Sequence, residues 1–150
     1  MPLPTPTPPN ATLPTPPPIP TTPKEIRAAE AQTVAKYNKR GTDLVQEGQY
    51  EEAIAEFTKA IELDPQYVRA YDNRGAAYGA LDMYEQAIQD FDDAISLNPQ
   101  YDRTYYNRGV AYQKIGRKTE AIADFEKFVT LGNDPQLVEM ARQRIEELSE

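Results

Sequence analysis

Apolar residues recur at steps of three and four along most of the chain, which is the pattern of helices that bury one face. Between residues 84 and 97 the apolar positions of this kind are Ala87, Ile88, Phe91, Ala94 and Ile95. A similar stripe precedes them, and Asp82 marks a turn between the two. The residue before a proline avoids the α region, so Asn98-Pro99 should end the second helix. Residues 71–98 thus predict two helices joined by a short turn.

The same helix pair returns every 34 residues, since YDNRGAAY at 71–78 is followed by YYNRGVAY at 105–112. A single helix pair cannot bury its apolar face, whereas about three stacked pairs form a continuous core. Five positions of the repeat, which we call columns, carry the same residue type in all three units. They are Tyr37, Tyr71 and Tyr105; Arg40, Arg74 and Arg108; Gly41, Gly75 and Gly109; Ala53, Ala87 and Ala121; and Phe57, Phe91 and Phe125.

The repeated glycine predicts a close approach between the two helices of a pair. A glycine inside a helix costs about 1 kcal/mol relative to alanine, so its return in every unit needs a packing reason. We expect the alanine column, Ala53, Ala87 and Ala121, to supply the small residues opposite.

These columns resemble the tetratricopeptide repeat family, and the resemblance covers about residues 34–133. It implies an all-α, right-handed solenoid with helix-turn-helix units at about 34–67, 68–101 and 102–135. An extended first helix from about 23 to 47, and a capping helix from about 135 to 148, complete seven helices in a domain of residues 23–150. The residues of the capping helix that we expect to pack inward are Leu137, Ala141, Ile145 and Leu148.

The two helices at the ends carry their own start signals. Thr22 and Glu25 have the spacing of a capping box, with Pro23 at the first helical position. Asp134 precedes Pro135 in the same way and should cap the last helix. The third unit departs from the repeat in two places, since Lys118 replaces a tyrosine and the closing Pro135 comes two residues late. These departures suit a unit whose outer neighbour is a capping helix.

Residues 1–22 form a different segment. Residues 1–23 hold 11 of the 14 prolines and no charged side chain. Proline favours extended polyproline II backbone, and the segment has few apolar groups to bury, so we predict a disordered tether. The alternative is a docking peptide for an aromatic-lined groove, since residues 6–9 and 14–17 have PxxP spacing.

Composition excludes several classes of chemistry. The chain contains no Cys and no His, which rules out disulfides, thiolate nucleophiles, Cys/His zinc sites and histidine bases. Its formal net charge of −8 argues against a nucleic-acid partner. No stretch approaches the roughly 20 apolar residues of a membrane span. With no phosphate-binding loop or metal-ligand cluster either, we expect no enzyme, catalytic residue, metal or cofactor.

The family resemblance implies a concave groove, lined by the first helices of the units, that binds a peptide or helix of a partner protein. The positions that would contact it are Asn38, Lys39, Thr42, Arg69, Asp72, Asn73, Arg103, Tyr106, Asn107 and Lys114. Their charges make the groove weakly basic, whereas the second helices carry most of the acidic residues. An acidic peptide or a C-terminal carboxylate is therefore the expected ligand.

The resemblance to one subclass of this family, the domains that bind chaperone C-termini, is weak. Some tetratricopeptide repeat domains bind chaperone C-termini through a carboxylate clamp of Lys, Asn, Asn, Lys and Arg. The corresponding residues here are Asn38, Thr42, Asn73, Arg103 and Asn107. Because only Asn73 is identical and two of the three cations are absent, the sequence argues against a chaperone co-factor.

The arginine column admits two interpretations. Arg40, Arg74 and Arg108 form either a ladder that meets the acidic second helices, which we favour, or part of the groove edge. The functional prediction is a scaffold or assembly factor that is a monomer or a weak homo-oligomer. Alternatives are a self-associating structural protein and a carrier of the proline-rich docking segment. The expected location is the cytoplasm or, for an exported and tethered protein, the bacterial cell envelope.

Overall fold

A computed structural model describes residues 19–150, so the PxxP segments and residues 1–18 of the predicted tether lie outside the described residues. The described part contains seven α-helices and no strand, as predicted. The helices are α1 (Pro23–Gln46), α2 (Tyr50–Leu63), α3 (Val68–Ala80), α4 (Tyr84–Leu97), α5 (Asp102–Lys114), α6 (Lys118–Leu131) and α7 (Pro135–Ser149). None of them is long and apolar enough to cross a membrane.

The helices stack in chain order to form an α-solenoid. The pairs α1 with α2, α3 with α4, and α5 with α6 pack most extensively, and each pair contacts the next. The first helices also contact one another, α1 with α3 and α3 with α5. They therefore line one continuous side of the solenoid, which is the inner face on which the candidate groove lies.

Each repeated glycine lies against the phenylalanine that follows 16 residues later in the chain. A Cβ atom at Gly75 would lie 2.7 Å from Cε1 of Phe91 and 3.1 Å from the carbonyl oxygen of Ala87. The close approach is confirmed, but its main partner is the phenyl ring rather than the alanine side chain. Ala87 and its counterparts are fully buried and complete the contact.

The predicted helix starts at both ends are confirmed. The Thr22 hydroxyl accepts a hydrogen bond from the Glu25 N–H at 3.2 Å, and the Glu25 carboxylate accepts one from the Thr22 N–H at 2.9 Å. The Asp134 carboxylate accepts hydrogen bonds from the N–H groups of Gln136 and Leu137. These bonds satisfy backbone donors that the first turn of a helix leaves without partners.

One residue of α7 departs from the expectation. Leu137 is 38% exposed, whereas Val138 packs against the core formed with Ala141, Ile145 and Leu148. The terminal helix packs chiefly against α6, so its buried stripe is narrow. The prediction for Leu137 was therefore wrong, and the neighbouring valine takes its place.

Candidate functional site

The inner face brings the ten predicted positions together from three helices. Helix α1 supplies Asn38, Lys39 and Thr42; α3 supplies Arg69, Asp72 and Asn73; and α5 supplies Arg103, Tyr106, Asn107 and Lys114. Contacts between the first helices place these segments side by side. The positions differ strongly in how they are held and in whether they are open to a ligand.

Asp72 lies at the centre of this surface but is fully buried. Its Oδ1 accepts hydrogen bonds from the Thr104 hydroxyl at 3.0 Å and the Asn107 amide at 3.1 Å. Arg103 Nε lies 2.8 Å from Asp72 Oδ2. This contact is an ion pair without hydrogen-bond alignment, so Oδ2 has no hydrogen-bond donor among residues 19–150. Asp72 thus positions its neighbours and offers no surface to a ligand.

A chain of polar contacts continues from Arg103 to α1. Arg103 Nη2 donates to Asn73 Oδ1 at 2.7 Å, and Asn73 Nδ2 donates to Asn38 Oδ1 at 2.9 Å. Both ends of the Asn73 amide and the Oδ1 end of the Asn38 amide are therefore engaged within the protein, and Arg103 is held between Asp72 and Asn73. The network links all three first helices and holds these side chains in place in the middle of the inner face.

The groove cations fall into two groups. Lys39 forms an ion pair with Asp43 at 2.7 Å, and Arg103 is engaged as described. Arg69 and Lys114 are exposed and form no ion pair within the part of the chain that the structure describes. Of the four cations at the predicted positions, two are therefore paired within the protein and two are not paired within residues 19–150.

A pocket of about 350 Å³ opens between α3, α4 and α5, and Arg144 of α7 lies at its edge. The predicted positions Tyr106, Asn107 and Lys114 line it, together with Gly79 and Arg144, which the sequence reasoning missed. The ring of Tyr106 makes edge contacts with Phe125 and Phe128, at 5.6 and 5.2 Å between centroids. Gly79 is visible in the sequence as a break in its column, because the other units carry Val45 and Gln113 there.

Two of the repeated arginines, Arg74 and Arg108, form the favoured ladder, whereas Arg40 is exposed and lies 3.7 Å from Glu56. Arg74 donates from Nε and Nη2 to the Asp90 carboxylate at 2.8 and 2.7 Å, and from Nη1 to Thr58 on α2. Arg108 binds Asp124 in the same bidentate way and also reaches Asp92 on α4. Each guanidinium therefore joins two successive units.

Not all acidic residues of the second helices are on the surface. Glu56, Asp90 and Asp124 are buried. Burial raises the pKa of the Asp90 and Asp124 carboxyl groups, and the adjacent arginine acts in the opposite direction. Such paired carboxylates have a structural role, and no group of three or more acidic side chains within residues 19–150 has a metal-binding arrangement.

A family model described as TPR repeat matches residues 41–82 and 83–116, and a tetratricopeptide repeat model matches residues 102–134. The chain belongs to the tetratricopeptide repeat family. Proteins of this family typically act as non-catalytic interaction modules. A comparison with curated protein sequences found no match.

Solved structures agree with this assignment. The second tetratricopeptide repeat domain of Spaghetti (RPAP3), bound to the HSP90 peptide SRMEEVD, is 33% identical with a TM-score of 0.68, covering 71% of this chain and 98% of that one. The second such domain of human RPAP3, in complex with the HSP70 peptide SGPTIEEVD, is 29% identical with a TM-score of 0.73, covering 81% and 98%. The Yersinia enterocolitica type III secretion translocator chaperone SycD is similar in fold, with 19% identity, a TM-score of 0.78, and coverage of 86% and 94%.

Proposed function

We propose that this tetratricopeptide repeat protein is a non-catalytic scaffold or assembly factor whose concave groove binds a short acidic segment of a partner protein. The observation that carries the proposal is the pair of exposed, unpaired cations, Arg69 and Lys114, within the described inner face. They lie on a protein with a net charge of −8. Opposed potentials of this kind attract an acidic ligand to the groove and repel it elsewhere.

The related structures support an acidic ligand. The peptides bound by the RPAP3 domains end in Glu-Glu-Val-Asp, so they are acidic and carry a terminal carboxylate. In this chain, however, Arg103 already contacts Asp72 and Asn73. We therefore favour acidic side chains within a segment, near Arg69 and Lys114, over a terminal carboxylate at Arg103.

Amide groups in the middle of the groove could hold the ligand backbone. The Asn38 Nδ2 and Asn107 Oδ1 atoms have no partner within residues 19–150, although the other end of each amide is bound. One donor and one acceptor are what an extended peptide backbone requires from its receptor. The internal network orients these amides in advance, which reduces the entropic cost of binding.

Charge reversal in the groove should weaken binding of acidic peptides. A randomised peptide library selected against the parent protein should enrich sequences rich in Asp and Glu. The double variant Arg69→Glu, Lys114→Glu should bind the enriched peptides about tenfold more weakly or worse, because it replaces attraction by repulsion. Fluorescence anisotropy at low and moderate salt measures the effect, which should be smaller at the higher salt concentration.

The matched control is Lys118→Glu, Lys127→Glu on α6. This control makes the same change in net charge on exposed residues of a second helix. Retained binding in the control and loss in the groove variant would support the proposal. Equal binding by both variants, with unchanged helical content, would place the ligand elsewhere and contradict it.

We further propose that the protein is a monomer in solution, or associates only weakly. Light scattering should give a molar mass near 16.9 kDa that does not change with concentration. The self-associating alternative is favoured by one feature, the exposed side chains of Leu137 and Met140 on α7. A stable dimer that Met140→Gln dissociates would support that alternative and contradict the monomer.

A further inference from the structure

We infer that the pocket between α3, α4 and α5 anchors one apolar side chain of the partner segment, next to an acidic residue that Arg144 of the capping helix recognises. This inference rests on the proposed function and goes beyond it, because it makes α7 part of the binding site. It also states which residue types the ligand must place side by side.

The pocket is open beside Gly79, because this residue has no side chain. A Cβ atom built at Gly79 would meet nothing within 4 Å, and the residue does not have a positive φ angle. Neither packing nor backbone conformation therefore requires glycine here. The contrast with Gly75 is direct, because a Cβ at that position would lie 2.7 Å from the Phe91 ring.

The lining next to Gly79 is mostly apolar. The apolar and aromatic side chains that contribute are Ala76, Tyr84, Phe91, Tyr106, Val110 and Ala111, and Asn107 adds an amide. The volume of about 350 Å³ lies at the lower end of the roughly 300–1,000 Å³ of ligand pockets. It suits one large apolar side chain with its adjoining backbone, since burial of such a side chain is a major source of affinity at an interface.

The rim adds two positive charges, Lys114 from α5 and Arg144 from α7. Arg144 Nη1 donates to Gln113 Oε1 at 2.7 Å, and its guanidinium lies 5.9 Å from the ring centroids of both Tyr106 and Phe125. Those contacts hold the group in one place without neutralising it. Neither cation forms an ion pair within residues 19–150.

An apolar cavity with fixed cations at its rim selects an apolar residue flanked by a carboxylate. A basic neighbour would be repelled by both rim cations, and the mostly apolar lining favours an apolar anchor over a polar one. Leu, Ile, Met or Phe next to Asp or Glu is therefore the predicted element of the partner segment. The guanidinium offers several N–H donors, which suit the planar carboxylate group.

The test uses the same peptide selection on four chains: the parent, Gly79→Leu, Gly79→Ala and Arg144→Gln. The parent should enrich an apolar residue next to an acidic one. Gly79→Leu should fill the pocket and weaken the selected peptides by about tenfold or more, since it removes the burial of one large side chain. Gly79→Ala adds one methyl group to open space and should bind like the parent.

Arg144→Gln tests the rim independently of the cavity. It should keep the apolar preference and lose the preference for an acidic residue at the neighbouring position. Circular dichroism and thermal melting verify that each variant is folded. If Gly79→Leu does not fold, the Arg144→Gln selection still decides whether α7 takes part in recognition.

The outcomes separate this inference from the proposed function. If Lys114→Glu with Arg69→Glu abolishes binding of acidic peptides, but Gly79→Leu and Arg144→Gln select the parent motif unchanged, the pocket inference fails and the groove stands. If the parent enriches no acidic peptide at all, both fail. Selection of isolated acidic residues without an apolar neighbour also overturns the pocket inference.

Discussion

Replacement of Arg108 by methionine should lower the free energy of unfolding by about 3–5 kcal/mol, because it leaves a buried carboxylate without its partner. Arg108 forms two hydrogen bonds with Asp124, which is 5% exposed, and a further one with Asp92. Methionine keeps much of the aliphatic volume, so the loss should come from the charge rather than from a cavity. Urea denaturation followed by circular dichroism measures it.

The first unit supplies the control. Arg40 occupies the same position of the repeat, but its side chain is 70% exposed and its Nε lies 3.7 Å from Glu56. Arg40→Met should cost less than about 1 kcal/mol, because the Arg40 side chain is exposed to solvent and Glu56 keeps its 2.6 Å ion pair with Lys59. Similar losses in the two variants would show that burial does not decide the strength of the ladder, contrary to our interpretation.

The effect of Arg108→Met should also depend on pH. Burial raises the pKa of the Asp124 carboxyl above its ordinary value of 3.8, and Arg108 opposes this rise. Removal of Arg108 therefore raises that pKa further. A carboxyl group with a higher pKa in the folded than in the unfolded state favours folding when it is protonated. The loss should be largest at neutral pH and decrease as the pH falls through the raised pKa towards 3.8.

The fold could be predicted because its signals are local and repeated. Each helix is marked by an apolar stripe, a turn or a proline, and the interval of 34 residues relates every position to two equivalents. The glycine column predicted a close contact between helices, since glycine inside a helix is otherwise unfavourable. The identity of the partner, Phe91 rather than Ala87 in the second unit, depends on side-chain direction, which the sequence does not specify.

The groove was harder to predict, because its polar residues are related across units rather than along one helix. Asp72 counts as an ordinary surface charge in a sequence. Its burial depends on Thr104 and Asn107, which approach it only when α3 and α5 are packed. The same contact removes Arg103 from the free cations. Counting charges thus named Arg69 and Lys114 but did not distinguish them from Lys39 and Arg103, which form ion pairs within the protein.

The contribution of α7 had no signal in the repeat pattern. Asp134 and Pro135 predicted the capping helix. Its apolar residues predicted only that it covers the end of the hydrophobic core. Arg144 reaches the inner face because it follows the buried Ala141 by three residues and is held by Gln113 and Tyr106. Gln113 and Tyr106 both belong to α5, so the position of Arg144 follows from tertiary packing.

Two glycines of α3 should respond in opposite ways to the same substitution. Gly75→Leu should lower the free energy of unfolding by about 1–3 kcal/mol or more, because overpacking forces the buried side chains and backbone apart. The new Cβ atom would meet both the Phe91 ring and the Ala87 carbonyl, and the ring is itself enclosed in the core.

Gly79→Leu should leave stability unchanged or raise it by up to about 1 kcal/mol, since leucine is the better helix former and the added atoms enter open space. Thermal and urea unfolding of the two variants, measured beside peptide binding, separates the two roles of glycine on one helix. We expect Gly75→Leu to lose stability and Gly79→Leu to lose affinity while it remains folded. A large loss of stability in Gly79→Leu would mean that the space beside Gly79 belongs to the packed core. That result would contradict the role of this space as a ligand pocket.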